Sequence, residues 1–286
     1  MKNITFVLDS GSDYESFLST FFNYPVRVVS LHIIIDGKEY LDGVDITKQK
    51  FYQEMGKAKN LPKTSQPSPQ QFLDVFNEEL EKGNQVLFIG LSSKLSGTYQ
   101  SALIAKNMLS EEEQKNVFLV DSQNVSAPII LQLMKANYLL EKGYSLEEVV
   151  EQLETFRLKT NFLALLDTLE NLKKGGRIST TKATIGEILN IKPLVTVKDG
   201  LIKSLESFRG RKKGIRKIKE LLHDKKNLID KSILFIVHNY EDRALLEADI
   251  EQIDLSHFKE RIYLKIGSTI GTYAGINTIA FAYIEE

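Results

Sequence analysis

The sequence predicts an α/β protein of two domains. The first is a doubly wound parallel sheet, and the second is another α/β domain with mixed strand directions. Three observations carry this expectation. Short β-branched and apolar runs ("ITFVLDS", "VRVVSLHIII", "VLFIG", "VFLVDS") alternate with helix-like segments through the first half, as in a mostly parallel sheet covered on both faces. In the second half an Asp-Gly pair at 199–200 sits between apolar alternations, the strongest short signal of a hairpin and hence of antiparallel pairing. A length of 286 residues fits two domains that share an interface.

In chain order, strands are expected at Ile4 to Ser10, Val26 to Ile35, Val86 to Gly90 and Val117 to Ser122. Helical patterns run from Pro69 to Lys82, Tyr99 to Leu109, Pro128 to Lys142 and Ser145 to Leu158. Pro69 and Pro128 suit first-turn positions, and Gly143 suits a helix stop. Beyond the hairpin, which spans Lys192 to Gly210, come a basic helix from Arg211 to Leu222, a strand from Ser232 to Tyr240 and a helix from Glu241 to Ile253. The runs "RIYLKIGS" and "NTIAFAYIEE" supply the last two strands. The boundary is expected between 158 and 165, dividing the chain into 1–160 and 161–286.

Composition removes whole classes of function. The chain has 37 basic and 38 acidic residues, without the basic excess of a nucleic-acid binder. With no cysteine, disulfides, thiolate metal sites and a Cys nucleophile are excluded. The opening "MKNITFVLDS" lacks the apolar region of a signal peptide, and no apolar run approaches the roughly 20 residues that cross a bilayer. The expected address is the cytoplasm. No His, Asp or Glu cluster has metal-ligand spacing, and no Walker or Gly-x-Gly-x-x-Gly loop follows a strand, so neither metal nor cofactor is expected.

Polar loops follow the apolar runs. "DSGSD" (Asp9 to Asp13) lies beyond the first strand, where ligands bind in open parallel sheets. Asp9, Ser10 and Ser12 are placed to line a cleft, while Asp13 is equally suited to cap a helix. In "KTSQPSPQQF", Ser68 before Pro69 reads as an N-cap, which leaves Thr64 and Ser65 unexplained. "LSSKLSGTYQSA" places Ser92, Ser93, Ser96 and Thr98 around Gly97 at the start of a helix. That is more hydroxyls than a cap requires, and it favours an anion site built from hydroxyls and helix-start amides. Ser126 or Asn124 is expected to cap the next helix. "KKGGRIS" sets Lys173, Lys174 and Arg177 around two glycines, in a turn that also suits contact with an anion. Serine hydrolysis needs a base beside the nucleophile. The four histidines, His32, His223, His238 and His257, lie outside any nucleophile elbow, so a hydrolase or transferase using Ser96 or Asp9 is the weaker alternative. Binding of another amphiphile is a third.

Taken together, "DSGSD", "KTSQPS", "LSSKLSGTYQSA", Asp121-Ser122, "LKKGGRIS" and the closing "GSTIGTYAG" resemble the DegV family of bacterial fatty-acid-binding proteins, in the family's order and over almost the whole chain. The resemblance implies that the second domain is two-layered with a mixed sheet and holds the acyl chain, the carboxylate lying between the domains. It implies that Thr64 and Ser96 hold the head group, with the amides of Gly97 and Thr98 nearby. Ser65, Ser93 and Tyr273 complete the expected binding set, and Arg177 and Lys174 are the expected anion or partner contacts. The apolar positions of "NFLALLDTL" (Asn161 to Leu169) and "ATIGEILNI" (183–191) are candidate tunnel walls. The family also implies a carrier, not an enzyme, which presents the bound fatty acid to a separate fatty acid kinase. The resulting acyl phosphate feeds phospholipid synthesis, and the role leaves room for peripheral membrane contact during lipid exchange. One departure stands out: where the family has a His followed shortly by Gly-Pro-Gly, this chain reads "GTYAGIN", with Tyr273 at the His position. A phenol donates a hydrogen bond but does not titrate near neutral pH as imidazole does, which bears more on the kinase partnership than on lipid binding.

Overall fold

A computed structural model of the chain describes residues 3–178, 191–224 and 228–286. The strands are β1 Ile4–Asp9, β2 Val26–Val29, β3 His32–Ile35, β4 Lys38–Leu41, β5 Lys63–Ser65, β6 Gln85–Gly90, β7 Val117–Asp121, β8 Thr160–Leu165, β9 Ile191–Lys198, β10 Leu201–Arg209, β11 Ile233–His238, β12 Glu260–Lys265 and β13 Ile279–Ile284. The helices are α1 Lys48–Lys57, α2 Pro69–Glu81, α3 Thr98–Met108, α4 Glu111–Gln114, α5 Ala127–Glu141, α6 Leu146–Phe156, α7 Glu170–Lys174, α8 Arg211–Asp224, α9 Arg243–Glu251 and α10 Ser268–Ala274.

The expected two-domain α/β fold is present. A parallel sheet runs β2-β1-β6-β7. On one face Val7, Val86, Phe88 and Val117 pack against Phe72 and Phe76 of α2 and Ala102 and Ala105 of α3. On the other, Phe6, Leu8, Leu87 and Ile89 meet α5. That double cover explains why β1 is buried at every position and reads as an unbroken apolar run. The mixed sheet runs β10-β9-β8-β13-β11-β12; among its described strands β11 and β12 pair in parallel and the other neighbours pair antiparallel. Its inner face, with Phe162, Ala164, Phe235, Ala280 and Ala282, joins the same core as α5. Its outer face packs on Ile215, Ile218 and Leu222 of α8 and Leu246 of α9. Helix α5 is thus pressed between two sheets, and its low amphipathicity follows from having apolar partners on both sides.

Local signals behave as read. Ser68 and Gln71 form a reciprocal capping box at the start of α2, with Pro69 in its first turn. Asp199 and Gly200 take φ of 55° and 76°, the pair of positive values that a type I′ hairpin requires.

Three expectations are corrected. The run Val26 to Ile35 is two strands in two sheets. After β2 the chain turns away because Leu31 N donates to Ser10 Oγ and Ser30 Oγ donates to Asp42 O; β3 then pairs with β4 and β5 in a small antiparallel sheet backed by Phe51 of α1. Ser126 does not cap α5: its Oγ donates to Asp13 Oδ2, and Asn124 Nδ2 donates to Thr160 O. The Asp13 side chain likewise caps no helix of its own loop: its backbone N–H closes the 3₁₀ turn Ser10–Ser12 by donating to Ser10 O, and at φ 57° its carboxylate is turned inward.

Candidate functional site

The loop beyond the carboxyl end of β6 meets α10 and the turn after α7 around an apolar cavity, the kind of concave, mostly hydrophobic space in which small ligands bind. Most of its wall is apolar: Leu95, Phe162, Leu166, Leu172, Val195 and Ile202 are among the lining residues. The alternation of β8 decides which of its side chains take part. Phe162 and Ala164 face the cavity, with Leu166 just beyond the strand, whereas Leu163 and Leu165 belong to the outer core. Of the second candidate tunnel stretch, 183–190 lies outside the described residues.

Polar groups gather on one part of this wall. Thr64, the central residue of β5, and Tyr273 of α10 share a hydrogen bond of 2.7 Å between their hydroxyls. Ser96 lies in the loop before α3, its Oγ 2.8 Å from Thr98 Oγ1 and accepting from Thr98 N at 3.3 Å. Arg177 spans the gap: its guanidinium stands 5.0 Å from the centre of the Tyr273 ring and donates to Leu95 O and Gly175 O. Gly175 is required there, since a Cβ would lie 2.5 Å from the Tyr273 ring. At Gly97 a Cβ would meet the Gln66 amide, so a side chain there displaces that amide from its bond to Ser101 Oγ. Thr64, Ser96, Tyr273 and Arg177 therefore line one space, with the backbone of Gly97 and Thr98 adjoining Ser96.

Other candidates lie elsewhere. Ser93 turns out of the cavity, its Oγ donating to Asp121 Oδ2 at 2.6 Å. Ser65 is exposed and reaches only Gln66 O, since neighbouring strand residues point to opposite faces. Lys174 pairs with Glu170 on the surface of α7. Ser92 is buried and donates to Gly200 O, tying the loop to the hairpin. Lining residues that sequence reasoning missed include Thr269 and Ile270; both come from α10, a seven-residue helix too short to show periodicity.

"DSGSD" holds loops together and does not line the cavity. Asp9 is fully buried and accepts from Gly11 N at 2.8 Å and Leu91 N at 2.7 Å, so it joins the ends of β1 and β6. Burial pushes its carboxyl up to about 7 against the pull of those two amides, and burial raises Asp13 to about 6. A carboxyl raised in the folded state protonates there before it does in the unfolded chain, so the folded state binds more protons and stability rises as pH falls through 7 and 6. His238 opposes this below its ordinary 6.5, because burial holds it neutral down to about 4. The two aspartates outweigh it, and the net gain from pH 8 to pH 6 is on the order of 1 kcal/mol. Thermal melts of lipid-free protein are expected to show a higher midpoint at pH 6 than at pH 8; a lower one would contradict the burial of these carboxylates.

Among the described residues, no group of acidic or histidine side chains is arranged to hold a metal ion, and no helix is long and apolar enough to cross a membrane.

Known proteins share this architecture from end to end. A family model described as "Uncharacterised protein, DegV family" matches residues 3–286. A DegV domain-containing protein of Caldanaerobacter subterraneus subsp. tengcongensis is 35% identical over 290 residues, covering all of both chains. A DegV family protein from Thermus thermophilus, whose structure concerns fatty acid binding, is 33% identical with a TM-score of 0.87 over 100% of each chain. A stearic acid-binding protein from Eubacterium ventriosum is 27% identical with a TM-score of 0.86, covering 99% of this chain and 98% of its own. With the parallel sheet, the mixed sheet and the cavity between them in place, and with the match running from residue 3 to the last, the chain belongs to the DegV family.

Proposed function

We propose that this protein binds one long-chain fatty acid. The carboxylate is held by Thr64, Ser96, Tyr273 and the amides of Gly97 and Thr98, and the acyl chain lies among the apolar residues of the mixed-sheet domain, with the division between domains at 160/161. One observation carries the reading: a single cavity is walled mostly by hydrocarbon and has the Thr64, Ser96 and Tyr273 hydroxyls on its lining, with Arg177 beside them. An anionic head on an apolar tail is the ligand such a wall fits. Hydroxyl and amide donors offset the cost of burying a carboxylate. The tail contributes about 0.8 kcal/mol per buried CH₂, on the order of 10 kcal/mol for 16 carbons before the costs of binding. The fatty acid binding stated for the Thermus relative and the stearic acid named for the Eubacterium one support the same reading.

In this proposal the chain is a carrier and not an enzyme. It presents the carboxylate to a separate fatty acid kinase, and the acyl phosphate feeds phospholipid synthesis. Ser96 has Thr98 as its side-chain partner, no histidine is among the described residues that line the cavity, and Asp9 is engaged by two amides, which disfavours hydrolysis or transfer through either residue.

Denaturing extraction of freshly purified protein followed by mass spectrometry is expected to yield close to one fatty acid per chain. Protein that emerges empty and turns over esters would overturn the carrier reading.

A further inference from the structure

We propose that Asp13 and Asp42 are positioning residues for the head group: two buried carboxylates clamp the start of α10 and thereby hold Tyr273 against Thr64. The inference rests on the fatty-acid reading of the cavity. Helix α10 supplies Thr269, Ile270, Tyr273 and Ala274 to the cavity wall, and its first amides are tied to residues from the opposite end of the chain. Gly267 N donates to Asp13 Oδ1 at 2.7 Å. Thr269 N and Thr269 Oγ1 donate to Asp42 Oδ2 at 3.0 and 2.6 Å. Gly267 makes the approach possible, since a Cβ there would lie 2.9 Å from Asp13 Oδ1. Neither aspartate lines the cavity, and the bonds of both carboxylates to the start of α10 are their link to Tyr273.

The clamp is held in place at a cost to the fold. Asp13 is a non-glycine residue at φ 57°, and Ser126, which donates to its Oδ2, is held at φ 58° and ψ −143°. Sparsely populated backbone persists where the surroundings over-determine it and clusters at functional positions. A neutral side chain of the same shape would avoid burying a charge, whereas an ionised carboxylate grips helix-start amides more strongly.

Asp13 is faced by Lys48 and Tyr52 of α1, by Asp42 and by Asp9. Lys48 also donates to Glu15 Oε1 and to Lys265 O, so its charge is shared and does not neutralise Asp13 alone. Burial raises Asp13 to about 6. Acidification below that value turns the grip on Gly267 N–H from charge-assisted to neutral, and the hold on Tyr273 loosens.

The test is Asp13→Asn, whose carbonyl still accepts from Gly267 and whose amide can donate to Ser126. With a fluorescent polyene fatty acid as probe, the variant is expected to bind about tenfold more weakly than wild type at pH 7.5. The ratio should close toward one at pH 5.5, where wild-type Asp13 is itself protonated. Its thermal midpoint at pH 7.5 should equal or exceed that of wild type, while hydrogen exchange at the α10 amides quickens. Asp42→Asn is expected to weaken binding and quicken the same amides, and it serves if Asp13→Asn does not fold. Equal affinity at pH 7.5 overturns the proposal, and so does a loss of affinity that tracks a loss of stability and is unchanged between the two pH values. If wild type takes up no probe, the lipid reading fails, and α10 exchange decides the clamp by itself: faster in the variants upholds it, unchanged overturns it.

Discussion

Ala164→Phe is expected to leave the protein folded and nearly empty of lipid. Ala164 lies on β8 with its side chain toward the cavity, flanked in the sheet by Val195 on β9 and Ala280 on β13. A phenyl ring there projects into the space assigned to the acyl chain, between the walls formed by Leu166 and Val195. Overfilling a well-packed core costs about 1–3 kcal/mol, and the open volume lowers that figure because the ring has somewhere to go. The ligand has no such latitude. Excluding about four methylenes removes on the order of 3 kcal/mol at 0.8 kcal/mol each, which is more than a hundredfold in affinity. Extraction of purified variant should recover less than a tenth of the lipid found in wild type, with an unchanged circular-dichroism spectrum. Full occupancy with the same fatty acid would place the acyl chain somewhere else.

Removing the head-group hydroxyls acts at the other part of the ligand. A hydrogen bond to a charged partner contributes about 1.5–3 kcal/mol, so Ser96→Ala is expected to weaken fatty-acid binding by about 10- to 100-fold. Thr64→Val should act similarly and also free the Tyr273 phenol, whose hydroxyl partner is Thr64 Oγ1 at 2.7 Å. The double variant should lose less than the product of the two, because both residues would serve one carboxylate and neighbouring contacts are not additive. The sharper readout is selectivity. Wild type should prefer a fatty acid to the fatty alcohol of the same length, and the double variant should bind the two within a few-fold of each other. A double variant that keeps the wild-type preference would remove Thr64 and Ser96 from the head-group site.

The elements legible in the sequence were those whose cause is local. Ser68, Pro69 and Gln71 mark the start of α2 within four residues, and Asp199-Gly200 supplies the positive φ pair of its hairpin. The apolar runs of β1 and β6 announce sheet strands covered on both faces. Within "LSSKLSGT" the sequence offers several hydroxyls of equal standing; the fold turns Ser93 toward Asp121, Ser92 toward Gly200 and Ser96 toward the cavity. Nothing in the spacing separates them, because the loop has neither the period of a helix nor that of a strand. The break of Val26 to Ile35 at Ser30 and Leu31 was hidden for a related reason: an apolar run reads the same whether it stays in one sheet or crosses to another.

By itself the sequence determined the two α/β halves, the absence of thiol chemistry, the rim loops rich in hydroxyls and the family they resemble. All of these depend on residue type and short-range order. Tertiary structure alone decided which hydroxyls share a cavity, that Arg177 and Tyr273 stack beside Thr64, and that Asp9 and Asp13 serve as buried ties and not as ligand contacts. Those outcomes depend on pairs such as Asp13 with Gly267, 254 residues apart, and on burial, which sets both the direction of a side chain and the charge it can carry.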